Sequence, residues 1–263
     1  MQTSLAGRVA LITGGSKGIG RAIAEAMARA GVRLALCARG DAALQEAAVE
    51  LRSSGAEVLT VQTDTTQPDD IRRFVDAAAT RFGRIDMLVN NAVSSSQSSF
   101  AALSDEEWRH HIDVKLMGYV RCAREALPHL ERSGNGRIIN IAGMTARIVS
   151  EYRMTNGVVN AAVTNFTKHL AEQAGPTGIT VNAIHPGYTR TPRLEGALAR
   201  WAELDGISLE QATALRLKEI PIGRFIEAAD IANVALFLCS DAASAVTGQA
   251  IAVDGGSGRA ISY

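Results

Sequence analysis

A chain of 263 residues with 27 basic and 27 acidic side chains carries no net charge to draw it onto a polyanion, so nucleic acid is not expected as its main partner. Hydrophobic residues make up 47%, enough for one large core and too many for a disordered chain. No apolar run approaches a membrane span, and MQTSLAGRVALITGG reaches its first apolar run too late and too briefly for a signal peptide.

RVALITGG is a short apolar run ending in glycines, which predicts a buried strand and a turn. GIGRAIAEAMARAG has helical periodicity and stops at Gly31. VRLALCARG is a second strand, DAALQEAAVELRSSG a helix and AEVLTVQTD a third strand. PDDIRRFVDAAATRFG is a helix with Pro at its start, followed by the strand RIDMLVNNA. SDEEWRHHIDVKLMGYVRCAREALPHLERSG reads as one long helix opened by a capping box from Ser104 to Glu107. GRIINIAG is the next strand, and a long helix covers about 153–173. GITVNAIHPG, EAADIANVALFLCSD and GQAIAVDGG complete the series as strand, helix and strand. The alternation predicts a single-domain α/β Rossmann fold over residues 1–263, a doubly wound seven-stranded parallel sheet with helices on both faces. One amphipathic helical segment, about 193–220, stands outside it; a substrate lid and a plain surface excursion both fit.

Cys37, Cys122 and Cys239 show no CxxC spacing and read as reduced core residues, which suits a cytoplasmic protein. The five histidines fall at no metal-ligand spacing, so no metal site is expected.

TGGSKGIG joins the first strand to the first helix. Glycines there let the backbone approach a pyrophosphate, and the helix N-terminus offers it free N–H groups. The TGxxxGxG spacing resembles the glycine motif of the short-chain dehydrogenase/reductase family. NNAV at 90–93 resembles its NNAG, TDTT around Asp64 its adenine-contacting segment, HPGYTRT its PG motif and IAVDGG its last strand. The resemblance spans nearly the whole chain. It implies a dinucleotide held by Gly14, Ser16, Lys17, Gly18, Ile19, Gly20, Arg39, Asp64, Asn90, Ala92, Pro186, Gly187, Thr189 and Thr191. The second strand ends in Arg39 with no acid beside it, and Lys17 lies near the same ribose. Two cations suit a 2′-phosphate, so NADP(H) is favoured over NAD(H). The CARG ending also resembles NADPH-using polyketide ketoreductases. Val93, where the family has glycine, narrows the space by the nicotinamide ribose.

The resemblance fails at the chemistry. The family's Asn, Ser, Tyr and Lys places hold Lys115, Gly143, Asn156 and Asn160, and none of the four tyrosines is followed by Lys four residues on. Asn156 and Asn160 lie one turn apart and are expected to hold an oxygen without supplying a proton. Lys115 falls in the apolar stripe Trp108, Ile112, Leu116, Tyr119, Ala123. Either its ammonium replaces the missing lysine, or it snorkels or pairs with a carboxylate at an interface. Tyr152 is either a substitute acid or an aromatic lining the pocket; His185 is a weaker candidate. Three functions fit: an NADP-dependent oxidoreductase on a small carbonyl or alcohol, a non-redox enzyme reusing the pocket, and a silent NADP-binding protein. The two long helices resemble those of the family's dimer and tetramer interfaces, implying a homo-oligomer.

Overall fold

The computed structural model describes residues 5–94, 96–150 and 152–259. The apolar runs form β1 (Val9–Thr13), β2 (Arg33–Ala38), β3 (Val58–Gln62), β4 (Met87–Asn90), β5 (Arg137–Ile141) and β6 (Thr180–Pro186). Two short strands follow, β7 (Thr189–Arg190) and β8 (Ile226–Glu227), and then β9 (Ala250–Val253). The main sheet is parallel with seven strands in the order β3-β2-β1-β4-β5-β6-β9, as expected. Every residue of β1, β4 and β5 is buried, which requires cover on both faces.

The helices are α1 (Gly18–Arg29), α2 (Asp41–Ser53), α3 (Pro68–Phe82), α4 (Asp105–His111), α5 (Gly118–Ser133), α6 (Met154–Ala174), α7 (Pro192–Asp205), α8 (Leu209–Lys218) and α9 (Ala228–Cys239), and six of them supply that cover. Helices α1, α2 and α9 bury Ile23, Met27, Leu44 and Leu238 on one face. Helices α3, α5 and α6 bury Phe74, Ala126, Leu130 and Ala171 on the other. Cys37, Cys122 and Cys239 are free and buried. Helices α7 and α8 form the excursion beyond the sheet. Leu194, Leu198 and Trp201 pack with Ile220 and Phe225 into a small core of their own. The pairing of β7 with β8, missed in the sequence, ties the base of this excursion down.

The predicted long helix is interrupted. A π turn, Ile112–Met117, joins α4 to α5, with the Ser104–Glu107 capping box at its head. The extra residue of a π turn rotates the following face. Ile112, expected in the apolar stripe, is 36% exposed, while Val114 and Lys115 are 3% and 5% exposed. Lys115 is thus buried within the π turn itself.

The order reverses between β1 and β4, and the carboxyl ends of β1, β4, β5 and β6 gather there. In such a sheet this is where a ligand sits.

Candidate active site

A cavity of about 650 Å³ opens at that reversal, beneath α7 and α8. Its floor is backbone. Gly14 lies at φ +64 and Gly18 at φ +57, conformations that disfavour a side chain. A Cβ on Gly20 would collide with Asn91 Nδ2 and Gly14 O. A Cβ on Gly187 would come within 2.7 Å of Asp254 Cα. No side chain caps the N-terminus of α1, which leaves its first amides free for an anion. Glycines that keep the chain low, an uncapped helix start and a lysine at its mouth together fit a dinucleotide pyrophosphate.

Of the residues expected at the dinucleotide, Gly14, Lys17, Gly18, Ile19, Ala92, Pro186, Gly187, Thr189 and Thr191 line this cavity. Ser16 and Gly20 belong to the same loop and helix start without lining it. Arg39 and Asp64 lie outside it, after the ends of β2 and β3. Arg39 is exposed, and Asp64 Oδ1 accepts from the Thr66 amide. The Gly15 amide donates to Cys37 O, which draws the glycine loop against the end of β2.

Asn90 ends β4 at the edge of the cavity without lining it. Its side chain is fully buried in the sheet, where Nδ2 donates to Asn140 Oδ1. Its neighbour Asn91 lines the cavity and donates from Nδ2 to the carbonyls of Thr13 and Gly14. Asn91 thus ties the end of β4 to the glycine loop that floors the cavity.

Lys115, Gly143, Tyr152, Asn156 and Asn160 all line the cavity. Lys115 Nζ donates to Asn160 Oδ1 at 2.6 Å and to Ala142 O at 2.9 Å. Its ammonium turns inward to these two acceptors rather than out to solvent, and among the described residues it meets no carboxylate. Burial, with Arg193 and Arg153 nearby, lowers its pKa from 10.5 to about 7. Near neutral pH this group divides between ammonium and amine, as a general acid–base requires.

Asn160 was expected to present its amide to a ligand. Instead Oδ1 holds Lys115, and Nδ2 donates to Thr145 Oγ1 at 2.8 Å. The amide oxygen is turned to Lys115 and one of the two N–H groups to Thr145. Asn156 keeps its expected freedom: Oδ1 is buried without a partner among the described residues. Tyr152 is half-buried and packs against the Leu194–Trp201 cluster. His185 is removed as a candidate acid. It is fully buried, outside the cavity lining, with Nε2 at 3.0 Å from Thr164 Oγ1. Burial, then Arg147 and Lys115, push its pKa down to about 4.

Gly143 has a structural reason to be glycine. An added Cβ would lie 2.6 Å from Asn160 Nδ2. Displacing that amide breaks its bonds to Lys115 and Thr145, each worth about 1–3 kcal/mol where it leaves a buried group unpaired. Gly143→Ala is therefore expected to destabilise by roughly 1–3 kcal/mol in the parent and by under about 0.5 kcal/mol in an Asn160→Ala background. Urea denaturation of the four proteins in this cycle measures the difference, and additive effects would mean the contact carries no energy.

A family model described as enoyl-(acyl carrier protein) reductase matches residues 14–258. A putative ketoacyl reductase of Streptomyces coelicolor is 36% identical over 95% of this chain and 97% of its own length. A cis-4-hydroxycyclohexanecarboxylate dehydrogenase of Sinomonas cyclohexanicum is 34% identical over 97% of this chain and 98% of its own. Among solved structures, L-sorbose reductase from Gluconobacter frateurii, complexed with NADPH and L-sorbose, superposes with a TM-score of 0.94 at 35% identity, covering 99% of this chain and 100% of that one. An actinorhodin polyketide ketoreductase variant with NADPH gives 0.93 at 33% identity, covering 99% of each chain.

Proposed function

The chain belongs to the short-chain dehydrogenase/reductase family, and on that premise we propose that it is an NADP(H)-dependent oxidoreductase of a small carbonyl or alcohol, working without the family's Asn-Ser-Tyr-Lys set. When bound, the dinucleotide would give or take the hydride. The glycine loop would hold its pyrophosphate, Lys17 and Arg39 its 2′-phosphate, and the Pro186–Thr191 segment its amide end. Lys115 would move the proton at the substrate oxygen, held in place by Asn160 Oδ1 and Ala142 O. Asn156 Oδ1 would accept a hydrogen bond from the ligand. The observation that carries this reading is Lys115 Nζ in the cavity wall, fixed by two acceptors and poised near neutrality. The competing reading is a silent NADP-binding protein, and it draws on the same bonds: the protein alone could be using them to seat a buried lysine. A homo-oligomer formed through the two long helical segments is part of the proposal.

The cofactor half is tested by titrating NADPH and NADH. NADPH should bind well and NADH poorly. Arg39→Ala should weaken NADPH binding about 10- to 100-fold, the worth of a charge-assisted bond, and leave NADH nearly unchanged. Equal curves for the two cofactors in the parent protein would refute it.

A further inference from the structure

The cavity has a positive end that no described residue balances. Lys115, Arg153 and Arg193 all line it. Their charged neighbours are one another, and among the described residues no carboxylate acts on any of the three. Arg153, just before α6, lies over the Trp201 ring at 5.9 Å, with a buried Nε that has no partner among the described residues. Arg193, exposed in the first turn of α7, reaches across the mouth to Val93 O with a long 3.4 Å contact. Arg216, whose Nε is likewise without a partner among the described residues, differs in having a carboxylate to pair with. It stacks on the same Trp201 ring at 4.6 Å but pairs with Glu219 Oε1 at 2.6 Å. Glu219 is further occupied by the Tyr188 hydroxyl at 2.8 Å. Among the described residues the other lining acid, Asp205, sits at the far end of α7.

Unpaired guanidiniums beside a buried lysine repel one another, and a partly buried cation is costly without a counter-charge. An anion entering the cavity supplies it. The planar fork of arginine matches carboxylate and phosphate oxygens, which a lone ammonium does less well. We propose that the substrate of this site is itself an anion, a carbonyl compound or its alcohol bearing a carboxylate or phosphate, with Arg153 and Arg193 holding that group and Lys115 facing the carbonyl end. This rests on the oxidoreductase reading above and adds the substrate class to it.

Matched probes test it by binding, without turnover. One pair is 4-oxopentanoate and its methyl ester; the other is dihydroxyacetone phosphate and dihydroxyacetone. Of the two tryptophans, Trp108 is replaced by Phe so that emission reports Trp201 alone. Titrations are run with and without NADP⁺, and NADPH affinity is measured on the same samples. The charged member of at least one pair should bind about 10-fold or more tighter, and the better pair says whether carboxylate or phosphate is preferred. Arg153→Met should bring that ratio to near one while the neutral probe keeps its affinity within about threefold. Equal affinities within both pairs, with NADPH still bound, overturn the anionic class and leave the redox reading standing. Loss of discrimination in Arg193→Met supports the proposal if Arg153→Met does not fold; discrimination retained in either folded variant overturns its assignment of the arginines. Failure to bind NADPH overturns the reading beneath, and the proposal with it.

Discussion

Lys115→Met is expected to cut turnover by about 10²- to 10⁴-fold, the usual worth of a positioned proton donor, without unfolding the protein. Met keeps the length and removes the charge. Two effects on stability oppose each other. A desolvated ammonium disappears, while Asn160 Oδ1 and Ala142 O lose their donor. The level of stability at pH 7 therefore changes little, and its slope with pH is the sharper readout. Lys115 has a folded pKa of about 7 against the ordinary 10.5. Between those values the unfolded chain holds a proton that the folded chain does not, so this residue makes stability rise with pH across that window. The displacement corresponds to a few kcal/mol in all. In Lys115→Met that rise should vanish. Urea midpoints of both proteins at pH 6.5, 8 and 9.5 check it, and parallel profiles would show that Lys115 does not titrate there.

The rate carries the same signature. A proton donor with a pKa near 7 is charged below that value and spent above it, so carbonyl reduction should slow as pH rises through about 7, while alcohol oxidation should gain. The silent-binder reading predicts no turnover to follow in either protein. It also predicts that Lys115→Met shifts oligomer stability and leaves NADPH affinity alone, which sedimentation and titration on one sample separate.

How much of this was legible beforehand depends on the range of the cause. The seven strands were readable because doubly covered parallel strands must be short apolar runs, and each ends in a turn signal. The capping box at Ser104 was readable because it closes within one turn. The π turn at Ile112–Met117 was not, because a one-residue insertion leaves no mark on composition. The bonds from Asn91 to the carbonyls of Thr13 and Gly14 were not readable, because they join residues 78 and 77 apart in sequence. The pairing of Lys115 with Asn160 joins residues 45 apart in sequence, and no periodicity on either helix reports the other. Arg153 and Arg193 were passed over for a similar reason. Each is an ordinary charge on its own segment, and only the tertiary fold sets them around one cavity.

Restoring the family's set should create a second chemistry in stages, and the order of the stages is decided by Lys115. Gly143→Ser, Asn156→Tyr and Asn160→Lys together put a new ammonium where Asn160 now holds Lys115 Nζ at 2.6 Å. Two like charges about 4 Å apart repel by roughly 4 kcal/mol in a site of intermediate dielectric. The triple variant should therefore be destabilised, or lose a proton from one amine, and reduce ketones poorly. Adding Lys115→Asn removes the conflict and should raise ketone reduction on the order of 10²-fold over the triple variant. The pH profile tells whose proton is used. In the parent the reduction rate should fall above about 7 with Lys115. In the quadruple variant that fall should be gone, because the donor is then the phenol introduced at position 156. A quadruple variant that folds, binds NADPH and still reduces none of a broad carbonyl panel would show that the four positions are not the whole barrier. Val93 is the next residue to change, because it lines the cavity where the family has glycine, and Val93→Gly in the same background should then recover the activity.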